Sequence, residues 1–416
     1  MQEVLSILEH QKIPIVTKRS LGEVALEERH LQILNKMNTL PKGAYTWGHQ
    51  SIKWSQFCGL VQLSEITLEI LPKTHNEESP LEGSRNVLIK MLKKAGILKL
   101  HRLGRAGLGT NKHKLLDVFI LDFCQQLNRQ LIQGKLREYK TEEDNLSVIR
   151  GKLLINQQLR CNSSHKERLY CQYDELSENI YLNQLIKLAL SLILPQIKSQ
   201  RLKVEVVKLL NIFDNVDDIS VNPKEIQVPD LKRSDLRFND VLELSVIFIK
   251  TLSPNINAGK LESFALMFDM NKLFESWVAS QLKPVAIKNG LILREQGPRR
   301  YLAYREDIGK NVFQMKPDIC LLDKDNKVVL IADAKWKVLD KQEIKLGISQ
   351  TDMYQVHTYA TEYSTNHSCL IYPNQEKELS RTNFSFLSHS SLAVFMVDME
   401  SPTNCGEIIE FTKSNK

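Results

Sequence analysis

The sequence predicts a mixed protein, α+β overall and α/β toward its end. Three consecutive pieces are expected: a small β-rich module over residues 1–83, a mainly helical region over 84–240 and an α/β domain over 241–416. Three observations predict this. Short apolar runs separated by turn residues fill the first eighty or so positions, apolar residues then recur at helical spacing, and beyond about residue 240 the two patterns alternate.

In chain order, Tyr45-Thr46-Trp47-Gly48 reads as a short strand. Phe57–Leu63 and Ile66–Leu71 form a half-alternating strand pair stopped by Pro72. Residues Thr74–Gly83 are polar and turn-rich. After them Val87, Leu88, Met91 and Leu92, and then Leu116, Phe119, Phe123 and Leu127, keep a helical period. A long helix is expected over Asn179–Leu194, ended by Pro195, and another over about Ser199–Phe213. Asp214–Asp235, with Pro223 and Pro229, reads as a linker. Helix, strands, helix and strand follow.

The 416 residues include 56 Lys and Arg against 49 Asp and Glu, a net charge of +7, with 42% hydrophobic and 25% charged residues. That composition fits ordinary folded domains and excludes collagenous, disordered and small disulfide-stapled classes. No apolar run is long enough to span a membrane: the best, Leu185–Leu194, carries Lys187. Met1-Gln2-Glu3-Val4 has the form of no export signal, so a cytoplasmic location and no membrane partner are expected. The seven cysteines are scattered without a C-x-x-C pair, and the ten histidines show no H-E-x-x-H, which argues against thiolate zinc sites and zinc hydrolases. Gly134-Lys135, Gly151-Lys152 and Gly259-Lys260 are each followed by Leu instead of the hydroxyl a phosphate loop needs. Nucleoside triphosphate chemistry, if any, belongs to a partner.

Charge is unevenly spread. Between Glu82 and Asp117 there is no acidic residue, whereas Arg85, Lys90, Lys93, Lys94, Lys99, Arg102, Arg105, Lys112 and Lys114 supply nine cations. Such a run is either a solvated helix face or a surface for phosphates or an acidic partner. Arg85, Lys93, Lys94, Arg102, Arg105 and Lys112 are the candidate contacts.

The chemistry concentrates further on. Phe313–Leu322 contains Pro317-Asp318, a polar turn follows at Asp323–Lys327, and Val328-Val329-Leu330-Ile331-Ala332-Asp333-Ala334-Lys335 closes a hairpin. With Asp318 in one strand and Asp333 and Lys335 on one side of the next, two carboxylates and a lysine converge. Carboxylates in apolar strands are costly unless a cation compensates them, which points to a hard divalent metal. The triplet alone is weak: Glu138-x-Lys140, Asp230-x-Lys232, Asp325-x-Lys327 and Glu343-x-Lys345 repeat it, about what chance supplies at this composition. Only the Asp333 copy ends an apolar strand that a Pro-Asp precedes across a short turn. Upstream, Glu275 lies on a helix whose Leu273, Phe274, Trp277 and Val278 face a core. Downstream, Gln355 and Tyr359 stand one turn apart on another helix.

The order helix-Glu, strand, strand-Asp, strand-Asp-x-Lys, helix-Gln-x-x-x-Tyr, strand resembles the PD-(D/E)XK nuclease core. With Asp269-Met270-Asn271-Lys272-Leu273-Phe274-Glu275, Ile331–Lys337 and Asp352-Met353-Tyr354-Gln355, the chain is similar to the McrC family, the nuclease subunits of modification-dependent McrBC restriction systems. Leu68–Lys73, Ser84–Leu88 and Ile149–Leu153 extend that likeness outside the core. The resemblance implies Mg²⁺, with Mn²⁺ as an alternative, held by Asp318, Asp333, the Ala334 carbonyl and, directly or through water, Glu275. It implies that Lys335 orients the attacking water and that Gln355 and Tyr359 position the lysine or the DNA backbone. It further implies cleavage of methylcytosine-containing double-stranded DNA together with a McrB-like AAA+ GTPase oligomer, which this chain stimulates and through which alone GTP enters. A free-standing repair or recombination nuclease and a non-catalytic GTPase activator stay open as alternatives.

Overall fold

The computed structural model describes residues 3–37, 40–73, 80–97, 115–165, 167–197, 199–223, 225–253, 263–340, 342–374, 381–386, 391–399 and 405–413. Two compact units emerge, one made of residues 1–115 with 257–416, the other of 116–256. The first is therefore discontinuous in sequence.

It begins with β1 (Glu3–Leu8), β2 (Lys12–Val16), β3 (Leu26–Glu27), α1 (Glu28–Lys36), β4 (Tyr45–Gly48), β5 (Ser51–Trp54), β6 (Phe57–Leu63) and β7 (Ile66–Leu71), followed by α2 (Pro80–Lys94). One sheet runs β3-β2-β5-β4. In the other, β1 pairs parallel with β7 and β6 pairs antiparallel with β7. Every residue of β6 and β7 is buried, which is why their polar alternation is only half developed. Ile7, Ile13, Leu26, Trp54, Val61 and Leu68 anchor the shared core, each buried apolar side chain contributing about 1.5–3 kcal/mol.

The second unit holds α3 (Leu115–Leu131), β8 (Glu138–Leu146), β9 (Lys152–Leu153), α4 (Ile155–Cys161), β10 (Leu169–Ser177), α5 (Tyr181–Ile193), α6 (Gln200–Ile212) and α7 (Asn239–Leu252). Helices α5 and α7 pack together, and Phe123 meets Phe248 edge-on at 5.5 Å. The expected helices at 179–194 and 199–213 are α5 and α6. The strands are a correction to the expected helical region: β8 and β10 pair over nine residues, with β9 on the far side of β10. β8 is mostly polar and exposed over much of its length, and β10 mixes Leu169, Tyr170, Cys171 and Tyr173 with polar residues and buries only Cys171, so neither shows the sustained alternating apolar face that marks a strand in sequence.

The first unit resumes with β11 (Ser263–Asp269), α8 (Met270–Lys288), β12 (Ile292–Glu295), β13 (Arg300–Arg305), β14 (Lys310–Met315), β15 (Ile319–Leu322), β16 (Val328–Ala334), α9 (Gln350–Glu362), β17 (His367–Asn374), β18 (Arg381–Ser385), β19 (Ser391–Asp398) and α10 (Cys405–Phe411). A six-stranded mixed sheet runs β12-β15-β16-β17-β19-β18, parallel at β16-β17-β19 and antiparallel elsewhere. Helices α8 and α9 both pack on β16. The strand before α8 does not belong to this sheet. Instead β11 pairs antiparallel with β6, extending the N-terminal sheet to β1-β7-β6-β11. Gly59 permits that approach: its φ is +145°, and a β-carbon there would lie 2.0 Å from the Leu266 carbonyl oxygen.

The divisions expected at 83/84 and 240/241 consequently do not match the compact units. The first falls inside α2. Backbone pairing of β6 with β11 gathers the N-terminal strands and the C-terminal part into one body.

Candidate active site

Strand β16 is buried from Val328 to Ala334 apart from the half-buried Val329, and this apolar run carries Asp333 inward to 1% exposure. Asp318 was expected within a strand. It lies just before β15, because the chain leaves β14 at Met315 and enters the six-stranded sheet only at Ile319. The displacement has a use: Asp318 Oδ2 accepts the Ala334 N–H at 2.8 Å, and its backbone carbonyl accepts the Gln296 N–H at 2.9 Å. Both carboxylates are thus fixed at one end of the β15-β16 pair.

Lys335 follows β16 and continues its ladder, its N–H donating to the Ile371 carbonyl at 2.9 Å. Its ammonium lies 2.7 Å from Asp333 Oδ2 and 3.9 Å from Asp352 Oδ1, and donates to Gln355 Oε1 at 3.2 Å. Gln355 in turn donates to the Tyr359 hydroxyl at 3.1 Å. Ser349 caps α9 by accepting the Asp352 N–H at 3.1 Å, which sets the helix so that Asp352, Gln355 and Tyr359 share one face. Asp318, Asp333, Lys335, Gln355 and Tyr359 are therefore brought together as the sequence predicted.

Glu275, half-buried on α8, joins them through its field. Burial pushes its carboxyl up, and Asp333 pushes it further. Asp318 is raised to about 8 by burial first, then by Asp333 and Glu275, against weaker help from the Ala334 N–H and Lys335. Asp333 is also raised by burial, despite the lysine beside it. For Lys335 burial acts downward but the surrounding carboxylates outweigh it, so the amine is held protonated more firmly than usual. One ammonium faces several carboxylates, and neither Asp333 oxygen receives a well-aligned hydrogen bond.

Such a deficit of positive charge in a buried place suits a hard cation with oxygen ligands. Among the described residues no group of three or more His, Cys, Asp and Glu side chains is arranged to hold a metal ion. The residues that would hold one are Asp318 and Asp333, with the Ala334 carbonyl expected beside them. An open set of this kind matches Mg²⁺, which keeps waters and takes substrate oxygens.

Two contributors were not assigned from the sequence. Asp352 faces Lys335, and its position three residues before Gln355 on α9 was the available signal. Glu9, 3% exposed, accepts the Trp336 indole N–H at 2.8 Å and the Lys73 N–H at 2.9 Å. Trp336 also packs edge-on against Phe274 at 5.4 Å, so it braces the segment after Lys335. A contact between residues 327 positions apart leaves no local pattern.

The basic segment needs correction at one position. Arg85, expected on a contact surface, is 9% exposed and makes a two-pronged ion pair with the fully buried Glu69, at 2.8 and 2.6 Å. Glu69 also accepts from Ser6 and from the Leu115 N–H, so Arg85 neutralises a buried charge. Lys93 is half-buried and Lys94 exposed near the end of α2, while Arg102, Arg105 and Lys112 lie outside the described residues.

The fold and site define an α+β chain in which one end of a mixed sheet presents a buried carboxylate, a half-buried carboxylate and a lysine. The chain belongs to the McrBC family, described as McrBC 5-methylcytosine restriction system component, which matches residues 52–373. It is similar in fold to a chain of the Thermococcus gammatolerans assembly of McrB AAA+ hexamers with bound McrC, with 19% identity, a TM-score of 0.73 and 99% of each chain covered. A chain of the cryo-EM structure of the Thermococcus gammatolerans McrBC complex also resembles it, at 21% identity and a TM-score of 0.51 over 67% of this chain and 87% of that one. No curated protein matches the sequence at comparable strength. Among the described residues no helix is long and apolar enough to cross a membrane.

Proposed function

We propose that this chain is the McrC-type nuclease subunit of a McrBC restriction system, a PD-(D/E)XK enzyme that cuts methylcytosine-containing double-stranded DNA with Mg²⁺. The observation that carries the reading is the convergence of Asp318, Asp333 and Lys335 on a strand end, with Gln355 holding the lysine, in a chain of this family. Asp318, Asp333 and the Ala334 carbonyl would hold the ion, with Glu275 acting through water. When bound, Mg²⁺ supplies charge stabilisation to the scissile phosphate and acidifies a water.

The chain's own residues do the rest. Lys335, kept protonated by its carboxylate neighbours, orients the attacking water and offsets charge that grows on the phosphate. Gln355 accepts one of its protons and so fixes the ammonium, and Tyr359 fixes Gln355. Trp336, tied to Glu9 and Phe274, keeps the lysine's backbone from drifting.

The division of labour comes from the family reading, and the lack of a phosphate loop in the sequence is consistent with it. In that reading a McrB-like AAA+ oligomer binds GTP, and this chain stimulates its GTP hydrolysis in the cytoplasm. Lys93 and Lys94, with Arg102, Arg105 and Lys112, are the proposed contacts to partner or DNA. The test is cleavage of methylated and unmethylated duplex with Mg²⁺, with and without that GTPase and GTP. Cleavage that needs methylation, GTP and the partner supports the reading. Cleavage by this chain alone favours the free-standing nuclease.

A further inference from the structure

The β13-β14 ribbon is not part of the six-stranded sheet, and among the described residues its strands pair only with each other. Its six-residue strands run about 20 Å, and all residues of β13 face solvent. Exposed apolar groups stand on it in a region with no packing reason for them: Leu302 at 50%, Tyr304 at 60% and Phe313 at 73% exposure. Phe313 also has a φ of +59°, a conformation that a residue with a β-carbon adopts only at a cost.

Charge on the ribbon is one-sided. Residues 299–316 carry five cations and two acids, Glu306 and Asp307. Arg305 pairs with Asp307, and Arg300 is turned back onto the Glu362 carbonyl and the Tyr363 ring. Lys310 near the tip and Arg299 and Lys316 at the base remain exposed.

The base is rigid and adjoins the candidate active site. The Tyr363 hydroxyl donates to the Pro298 carbonyl at 2.6 Å, and Gly297 packs so closely on Pro317 that a β-carbon there would meet its ring at 2.8 Å. Only Lys316 and Pro317 separate the end of β14 from Asp318.

We propose that the β13-β14 ribbon enters a groove of the duplex whose phosphate lies at Asp318, with Tyr304 and Phe313 against the bases and Lys310 against the backbone. A two-stranded ribbon is the size a major groove of about 12 Å admits, and apolar side chains at a ribbon surface act on base edges or steps. The cationic balance and the direct run into Asp318 select nucleic acid over an apolar protein partner. The cutting subunit thereby grips its own substrate instead of depending wholly on the GTPase for DNA. This inference rests on the nuclease reading above.

The test uses the full chain carrying Asp333→Asn, which can hold DNA without cutting it, and a short fluorescent duplex titrated at several salt concentrations. The expected result is that Tyr304→Ala with Phe313→Ala weakens binding about tenfold or more. Phe313→Gly, which also relieves the left-handed backbone, weakens it without loss of fold. Lys310→Glu lowers the salt dependence by about one unit of slope. Unchanged affinity in all three variants, with the otherwise unsubstituted chain still cutting DNA, overturns the ribbon's role and leaves the nuclease reading intact. So does a loss confined to self-association or to partner binding. A chain that neither binds nor cuts duplex in the complete system overturns the nuclease reading and the ribbon's role together.

Discussion

Lys335 Nζ sits 2.7 Å from Asp333 Oδ2, and among the described residues the lysine is the one cation paired with this carboxylate, which is 1% exposed. The pair is unequal to its surroundings. Asp333 and Asp352 put negative charge beside the same ammonium, which favours its protonated form, while burial and the neighbouring carboxylates push Asp318 up to about 8. The surplus of carboxylates around one lysine is the feature that the proposed divalent cation would offset.

Asp333→Asn therefore separates stability from activity. The change removes a buried, poorly satisfied charge while keeping the side chain's shape, so the thermal midpoint of the metal-free chain is expected to stay level or rise. Differential scanning calorimetry checks it, and a fall of several degrees would mean that Asp333 is chiefly a structural ion-pair partner.

Divalent-ion binding is expected to strengthen with pH. Below about 8 the metal-free folded chain keeps a proton on Asp318, whose ordinary value is 3.8, and the ion must expel it. Affinity for Mg²⁺ or Mn²⁺ then rises up to about tenfold per pH unit and levels off above pH 8. The same shift makes stability of the metal-free chain fall as pH rises from about 4 to about 8, because only the unfolded carboxyl has lost its proton across that window. Calorimetric titrations at several pH values read the first effect, and denaturation with and without the ion reads the second.

The hydrogen-bond chain from Lys335 through Gln355 to Tyr359 makes a graded prediction. Gln355→Ala frees the ammonium and is expected to lower kcat about 10- to 100-fold with KM nearly unchanged, whereas Tyr359→Phe costs less than about tenfold. Single-turnover cleavage measures both. A larger loss for Tyr359→Phe than for Gln355→Ala would reverse the proposed order of support.

In the N-terminal sheet, Arg85→Met strands Glu69, which is fully buried, and is expected to destabilise by about 3–5 kcal/mol. Lys94→Met, on an exposed turn of the same helix, is expected to change stability by less than about 0.5 kcal/mol. Urea denaturation distinguishes them, and equal effects would contradict the assignment of Arg85 to the interior.

The same contrast shows what a sequence can reveal. Asp333-x-Lys335 was legible because an apolar run ending in charges is physically expensive, and α5 and α6 because their apolar residues keep a helical period. Arg85 reads as a surface residue because nothing near it in sequence announces Glu69, sixteen residues earlier on a strand. β8 carries no signal because it is mostly polar, and β10 a weak one because its apolar residues stop at Tyr173 and only Cys171 is buried. The pairing of β6 with β11 joins residues some two hundred positions apart and depends on Gly59, whose role becomes visible only when Leu266 lies against it.

The most direct measurement of the central claim is Mg²⁺-dependent cleavage of methylated duplex by the complete system, comparing the parent chain with Lys335→Ala. The site as arranged predicts that the variant folds, still supports GTP hydrolysis by the partner, and cuts DNA at least about 10²- to 10³-fold more slowly. Cleavage at the parent rate by a well-folded Lys335→Ala chain would contradict it.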